Sequence, residues 1–382
     1  MTLKITDENY HAIVRKLISD ERKVQLGTNL QNLPSKGEGD RVRNCFIPAE
    51  RFIFIGADLG QIEPRIMAHI MYEKYRDNSM RQIFVDGVDL YTTMAMMTFN
   101  LAEEFCVDKA YDPTGSFQPR KLMKTGVLAV AYRQSKRSFA KKMGVTEEVA
   151  EMFFENFDRT FPSFNTMVDD IIAGLKRDQY VETLRGRKRR FPDYKRVADE
   201  KKGNERRRIQ LFTERKRLLD RISTKAISNG MSTLNGDLTI KDSSSKEERR
   251  FKEIQTELDC LYEISGLVGY WERAAFNAVI QGTGADILKM NGNRMARECM
   301  ARGWEMNASI HDEILISVPR EQLTPATVEL VNEIMTKTVS LSVPLVTDIV
   351  IMERWMDEHK PEEWDFENCR PKSKGDDALS HN

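Results

Sequence analysis

Residues 52–70 read FIFIGADLGQIEPRIMAHI and combine a short apolar run with a helix-like continuation. The apolar run is rich in aromatic and β-branched residues, which predicts a buried strand that ends near Asp58. Pro64 suits the first turn of a following helix, where its missing N–H costs little. A carboxylate at the end of a buried strand needs a cation or hydrogen bonds. The stretch therefore predicts either a helix-capping aspartate or half of a metal site.

A second acidic stretch lies far along the chain, at residues 308–319, and reads ASIHDEILISVP. Strand-forming residues flank His311, Asp312 and Glu313, so we expect these three side chains at the tip of a tight hairpin. If the tip meets Asp58, two carboxylates can hold a pair of divalent cations that activate a hydroxyl and neutralise a leaving pyrophosphate. Hard oxygen ligands favour Mg²⁺, with Mn²⁺ as the alternative.

Between these two stretches, the sequence predicts a helix with a basic stripe. Arg120, Lys124, Leu128 and Tyr132 recur every four residues, and Pro119 suits the start of the helix. An arginine and a lysine on successive turns can clamp a triphosphate. A solvated basic face is the commoner meaning of such a stripe, so the sequence pattern leaves both interpretations open.

The three stretches, in their order along the chain, resemble motifs A, B and C of the family A DNA polymerases, the bacterial DNA polymerase I type. The resemblance runs from about Arg22 to about His359. It implies an α+β fold, in which a right-hand polymerase palm with an antiparallel sheet carries helical fingers. It also implies an enzyme that adds deoxynucleotides to a primer 3′-end on a DNA template with two Mg²⁺ ions, in DNA replication.

The resemblance also implies roles for single residues. Asp58, the Leu59 carbonyl and Asp312 would hold the metal ions, and Glu313 would support them. Lys124 would act as a general acid for the pyrophosphate. The other implied contacts with the incoming nucleotide or primer terminus are Arg120, Leu128, Tyr132, Gln61, Ile62, Glu63, Tyr91 and His311.

Three of these positions need comment. Glu63 implies rejection of a 2′-hydroxyl and hence of ribonucleotides. Tyr91 stands where the family commonly has a histidine that helps to hold the triphosphate, and a tyrosine packed at an interface is the alternative. Leu128 stands where the family has an aromatic ring on the incoming sugar. Because Leu128 has no hydroxyl, we expect the chain to reject dideoxynucleotides.

Basic and polar residues elsewhere predict contacts with a primer–template duplex. Five of the six residues 185–190 are basic, which suits phosphate contacts, although a solvated turn is the alternative. A later helix places three polar residues four positions apart on one face, which the family uses on the minor-groove edge of the base pairs. Arg22 falls at the spacing of a primer contact or is a solvated helix-end arginine. The predicted DNA contacts are Arg22, Arg185, Arg187, Arg273, Asn277 and Gln281.

The chain is expected to contain several segments. The predicted order is an N-terminal helix (1–21), a first palm part with motif A (22–78), fingers with motif B (79–178), a hairpin near the duplex (179–193), a charged helical insertion (194–269), a second palm part with motif C (270–359) and a disordered tail (360–382). The insertion is expected to be a helical hairpin that contacts DNA, docks a partner or is passive. No thumb or exonuclease domain is recognised, so we expect a second polypeptide to supply those functions.

Composition alone does not favour a nucleic-acid enzyme. The 382 residues contain 59 Lys+Arg and 59 Asp+Glu, for a net charge of zero. The five cysteines show no paired spacing, which favours a reduced, cytoplasmic setting, or the host cytoplasm if a phage encodes the chain. No apolar run is long enough to span a membrane. The alternatives are a non-catalytic polymerase-like DNA-binding subunit, or a polymerase that uses an RNA template or ribonucleotides.

Overall fold

The computed structural model describes residues 42–106, 118–131, 133–228 and 246–372. The chain divides into two compact units. The described part of the first unit comprises residues 42–62, 287–340 and 345–372, and the rest of the described chain forms the second. The predicted N-terminal helix, Arg22 and Tyr132 lie outside the described residues.

The elements follow the chain order expected from the sequence. The strands are β1 (Phe52–Leu59), β2 (Tyr180–Glu182), β3 (Lys188–Arg190), β4 (Glu305–Ile310), β5 (Glu313–Pro319), β6 (Thr347–Met352), β7 (Trp364–Asp365) and β8 (Arg370–Pro371). The α-helices are α1 (Ile62–Tyr75), α2 (Ser79–Val85), α3 (Leu90–Phe99), α4 (Pro119–Ala131), α5 (Lys136–Met143), α6 (Glu147–Thr160), α7 (Phe164–Asp178), α8 (Tyr194–Ser228), α9 (Lys246–Arg302) and α10 (Pro325–Lys337). None of the described helices contains an apolar stretch that could cross a bilayer.

The first unit is built on a four-stranded antiparallel sheet in the order β4-β5-β1-β6. Strand β1 is central, and its alternate residues Ile53 and Ile55 are fully buried. Helix α10 packs on β1 and β6 through apolar residues such as Val331 and Ile334, which are also fully buried. Removal of this apolar surface from water stabilises the unit and fixes β1 as its core strand.

Phe54, Gly56 and Asp58 alternate with these core residues and face the opposite side of β1. Near Phe54 that face is apolar, because a cluster of Phe54, Ile310, Leu315, Met352 and Trp355 covers it. Towards Asp58 the same face becomes acidic. The sheet therefore carries a packed end and a polar end on one surface.

The second unit is mainly helical. Its core includes a chain of phenylalanine contacts, in which Phe157 packs edge-on against both Phe161 and Phe164. Helix α6 presents this apolar face because Ala150, Phe153 and Phe157 recur at helical spacing and are all buried. The short antiparallel pair β2–β3 forms the predicted basic hairpin.

Helices α8 and α9 of the second unit pack antiparallel over the segment that the sequence predicted as a helical hairpin. Leu211 contacts the cluster of Ile254 and Leu258, while Arg207 pairs with Glu257 and Arg250 pairs with Glu214. Residue numbers rise on one helix as they fall on the other, which establishes the antiparallel packing. Helix α9 continues without a break through the expected boundary between residues 269 and 270.

The expectation of a disordered tail from residue 360 onwards is wrong for residues 360–372. Trp364 is buried, at 1% exposure, and packs against the His359 ring with centroids 5.8 Å apart. Strands β7 and β8 pair around it. The buried Trp364 side chain and the hydrogen bond from Arg320 to the Cys369 carbonyl both fix this segment within the first unit.

Candidate active site

The end of β1 and the β4–β5 turn meet in the first unit. The Leu59 N–H donates to the Asp312 carbonyl at 3.2 Å. His311 has a positive φ of 54° and lies with Asp312 between the paired residues Ile310 and Glu313, so the predicted hairpin tip is confirmed. Helix α1 begins only at Ile62, and Asp58 lies within the strand. The helix-capping interpretation of Asp58 is therefore wrong.

Four carboxylates gather at this end of the sheet. Asp58 pairs across the strands with Glu313 on β5 and with Asp348 on β6, and directly opposed residues share a face. Burial, then the charge and the hydrogen-bonding contact of the Asp312 carboxyl, and then the charges of Glu313 and Asp348 together raise the pKa of Asp58 to about 7. Like charges in a half-buried site favour a proton or a cation. The arrangement is therefore suited to bind positive charge.

Glu313 lies over β1 because residue 56 is glycine. A Cβ built on Gly56 would lie only 2.8 Å from Oε1 of Glu313 and 3.0 Å from the end of Met352. Burial raises the pKa of the Glu313 carboxyl to about 6, against the charge of Arg43, which lowers it. The glycine thus provides the space in which a partly buried carboxylate stands beside Asp58.

The donor set at this place fits a hard divalent cation. Asp58 and Asp312 supply carboxylate oxygens, and main-chain carbonyls at the strand end supply neutral oxygen, which together suit Mg²⁺ or Mn²⁺. Within the described residues, no group of three or more His, Cys, Asp or Glu side chains is arranged to ligate a metal ion. The protein ligands would therefore be the Asp58–Asp312 pair and main-chain oxygen.

Sequence reasoning missed Asp348 as a member of this acidic group. Its signal was available, because residues 347–352 read TDIVIM, a strand-like run with a carboxylate at one end. Asp348 is largely exposed and accepts a hydrogen bond from Lys360. It lies at the rim of the group, where its charge is already partly compensated.

In the second unit, Arg120 of the basic stripe is held by an aspartate. Asp89 caps α3 by accepting from the Thr92 N–H at 2.8 Å, and it accepts two hydrogen bonds from Arg120, from Nε and Nη2, both at 3.0 Å. Burial raises the pKa of Asp89, but the Arg120 and Thr92 hydrogen bonds outweigh it and lower the pKa to about 2. The guanidinium therefore has a fixed orientation.

Tyr91 lies beside this pair. Its ring centroid is 5.7 Å from the Arg120 guanidinium, and the residue is 8% exposed. Burial, and then the charges of Glu63 and Asp89, raise the pKa of Tyr91 to about 12 against the opposing charge of Arg120. The structure thus brings Glu63, Tyr91 and Arg120 together within the second unit.

The other predicted nucleotide contacts are distributed over both units. Lys124 is exposed on α4, one turn after Arg120, while the Leu128 side chain is outside the described part. Gln61, with a positive φ of 53°, links β1 to α1 in the first unit, and Ile62 is buried at the start of α1.

Four of the predicted DNA contacts line one open cavity of about 570 Å³ in the second unit, namely Arg187, Arg273, Asn277 and Gln281. Arg187 is fixed by Asp286, which accepts from Nε at 2.7 Å, and by the Gly282 carbonyl. Arg185 is exposed in the β2–β3 turn and is not part of the lining. The structure therefore groups the predicted minor-groove residues with one residue of the basic hairpin.

A palm-type sheet with an acidic end and a helical unit with a basic helix define the class of nucleic-acid polymerase cores. The family model described as DNA polymerase family A matches residues 24–213 and 233–357, and the chain belongs to this family. The match leaves out only residues 214–232 between its two parts, so it reaches into both ends of the expected insertion 194–269.

Curated relatives agree with this assignment. The chain is 26% identical over 345 residues to DNA polymerase I of Lactococcus lactis subsp. lactis. This match covers 90% of the chain and 30% of the relative. It is 26% identical over 329 residues to the thermostable DNA polymerase I of Thermus aquaticus, and this match covers 86% of the chain and 30% of the relative. The chain thus spans about 30% of the length of these relatives.

A solved structure has the same fold. The polymerase domain of Pol1 from M. smegmatis, in complex with DNA primer–template and dNTP, matches with a TM-score of 0.59 and 24% identity. The match covers 86% of this chain and 45% of that chain. The predicted α+β polymerase fold is therefore confirmed.

Proposed function

We propose that this chain is the catalytic core of a DNA-directed DNA polymerase, which adds deoxynucleotides to the 3′-end of a primer during replication. The observation that carries the proposal is the contact between the Asp58 and Asp312 carboxyls, in a chain that belongs to DNA polymerase family A. These residues come from distant parts of the sequence, so their meeting at one end of the sheet supports a joint role.

Asp58, Asp312 and the main-chain carbonyl of Leu59 are proposed to hold two Mg²⁺ ions, or Mn²⁺ in their place. When bound, such ions would activate the primer 3′-hydroxyl and neutralise the leaving pyrophosphate. The four clustered carboxylates support this assignment, because their mutual repulsion is relieved by positive charge. Glu313 would add negative charge close to Asp58 without being a ligand itself.

Binding of the triphosphate is assigned to the second unit. Arg120, held by Asp89, and Lys124 on the next turn would bind the triphosphate, and Lys124 would give a proton to the departing pyrophosphate. Rate enhancement then comes mainly from positioning of the 3′-hydroxyl in line with the α-phosphate. The proposed contacts with sugar, base and primer terminus are Gln61, Ile62, Glu63, Tyr91, Leu128, Tyr132 and His311.

The primer–template would contact the cavity lined by Arg273, Asn277 and Gln281, with Arg185 and Arg187 on phosphates and Arg22 near the primer end. Minor-groove acceptors are similar in all correct base pairs, so such contacts check geometry rather than sequence. We further propose a cytoplasmic location.

Primer extension with a labelled DNA primer tests the proposal. We expect extension on a DNA template with Mg²⁺ and deoxynucleotides, and none when EDTA removes the metal. Binding of primer–template without extension would contradict the proposal in favour of a non-catalytic DNA-binding subunit. Equal extension on an RNA template, or equal use of ribonucleotides, would contradict the assigned DNA specificity.

A further inference from the structure

Helix α8 carries a row of exposed residues that the proposed catalytic site does not use. Lys202, Arg206, Ile209, Thr213, Lys216 and Arg217 are all exposed and recur at helical spacing, and we call them the outer stripe. Leu211, which is fully buried against α9, lies on the opposite side of the helix. The outer stripe therefore lies on the side of α8 that faces away from α9.

The positive charge of the outer stripe is not neutralised by the hairpin itself. Glu257 and Glu214 pair with Arg207 and Arg250 across the two helices, and Glu205 pairs with Arg208. Over the side chains that the structure describes, no carboxylate forms an ion pair with any of the four cations of the stripe. Exposed acids on the same side occur only towards its ends, at Asp199 and Asp220.

We infer that the outer stripe binds the phosphate backbone of double-stranded DNA. The inference rests on the proposed function, because DNA is taken as the substrate. From Lys202 to Arg217 the helix rises by roughly 22 Å, since each residue adds about 1.5 Å. A duplex presents about one negative charge per 1.7 Å of its axis and is stiff over far longer distances. A straight row of cations can contact this stiff duplex directly. A flexible single strand would first have to be ordered along the row.

A protein partner fits this surface less well. Lysine is depleted at protein interfaces, whereas two of the four cations here are lysines. Among the side chains of α8 that the structure describes, the exposed large apolar ones are Ile209 on the stripe, at 56% exposure, and Phe212 beside it, at 53%. Two side chains fall well short of the large apolar patch that marks a docking site for protein.

The test is the salt dependence of affinity for a blunt DNA duplex, measured by fluorescence anisotropy on the full chain without nucleotide or metal. The variant Arg206→Gln/Arg217→Gln is expected to lower the slope of log affinity against log salt by about 2, since each lost phosphate contact removes about 0.9. A second variant, Lys202→Gln/Lys216→Gln, tests the same stripe with a different pair. Both pairs are exposed, so thermal unfolding should match that of the wild type.

The matched control is Arg249→Gln/Lys252→Gln, which removes the same charge from the exposed outer side of α9. Its salt slope should equal that of the wild type. An unchanged slope in both stripe variants, or an equal loss in the control, would overturn the inference. An equal loss of affinity for a single strand of the same length would overturn its assignment to duplex DNA. Because no nucleotide is added, the result stands even if the chain fails to extend primers.

Discussion

The main-chain N–H of Leu59 donates a hydrogen bond to the Asp312 carbonyl oxygen at 3.2 Å. This bond joins the residue after Asp58 to the turn that carries Asp312, and it brings the two carboxyls into contact. Burial, and then the Asp312 contact, raise the Asp58 pKa to about 7. The fold therefore holds these two side chains together against their electrostatic repulsion.

Replacement of Asp58 by Asn should stabilise the metal-free protein. Since the pKa of Asp58 is raised on folding from 3.8 to about 7, its charge disfavours the folded state fully above pH 7, and the effect fades as pH falls towards 4. In EDTA at pH 8, we expect Asp58→Asn to raise the free energy of unfolding by roughly 1–3 kcal/mol. Urea unfolding of the wild type and the variant at pH 8 and at pH 5 measures this difference in the free energy of unfolding at each pH.

The control for that experiment is Glu321→Gln, an exposed acid in the same unit. It should change stability little at either pH. The account of the acidic cluster is contradicted if Asp58→Asn is no more stable than the wild type at pH 8, or if its advantage grows at pH 5. Added Mg²⁺ should stabilise the wild type and not the variant, because the variant lacks one ligand.

Gly56→Ala should destabilise the first unit by roughly 1–3 kcal/mol, as other overpacked sites do. The added Cβ would meet Oε1 of Glu313 and the side chains of the buried Met352 and the partly buried Val350, all within about 3 Å. Gly266→Ala on α9 is the control, because no atom lies within 4 Å of its added Cβ and alanine favours a helix. Denaturant titration measures the free energy of unfolding of both variants. Equal effects would show that Glu313 can move away from Gly56.

Asp89→Asn should destabilise the second unit by about 1–2 kcal/mol near neutral pH, because it removes one charge of a partly buried pair with Arg120. The Asp89 pKa is lowered from 3.8 to about 2, so its contribution is present above pH 4 and disappears as pH falls through 2. Thermal unfolding from pH 7 to pH 2.5 should therefore show the wild type and the variant converging.

The neighbouring Asp86→Asn serves as the comparison, since Asp86 is exposed and ends helix α2. It should leave stability nearly unchanged. A loss with Asp86→Asn as large as that with Asp89→Asn would contradict the special role of the Asp89–Arg120 pair. If Arg120 binds the triphosphate, Asp89→Asn should also weaken nucleotide binding, measured as a raised KM.

Much of the first unit followed from the sequence, because β1 and the β4–β5 turn carry strong local signals. Apolar runs, a proline in a first turn and a polar tip between strand-like residues each act over a few residues. The side-chain pairings did not follow. That Asp348 stands opposite Asp58 depends on which strands are neighbours in the sheet, and that Asp89 holds Arg120 depends on the packing of α3 against α4. Such relations are set by tertiary structure, which local periodicity does not encode.

The segment 360–372 illustrates the opposite error. Its polar composition favoured disorder, yet the segment is folded into the first unit with Trp364 buried. A single tryptophan buries a large apolar area, so an average over the segment hides the one residue that decides its state.

Glu63→Ala should increase the use of ribonucleotides relative to deoxynucleotides by at least about tenfold. Glu63 lies close to the buried Tyr91, and its removal would open the space assigned to rejection of a 2′-hydroxyl. Single-nucleotide extension with each nucleotide type gives the ratio of kcat/KM values. Glu73→Ala, on the exposed side of the same helix, should leave that ratio unchanged. An unchanged ratio in Glu63→Ala would reassign the residue to packing.

The most direct test of the central claim is Mg²⁺-dependent primer extension by Asp312→Asn, with Glu321→Gln as the folded, charge-matched control. Asp312→Asn is expected to lower the extension rate by at least about 100-fold, because the charge that develops in the transition state is no longer stabilised. The control should extend primers at the wild-type rate. Extension by Asp312→Asn within threefold of the wild type would show that the meeting of Asp58 and Asp312 is not the site of the chemistry.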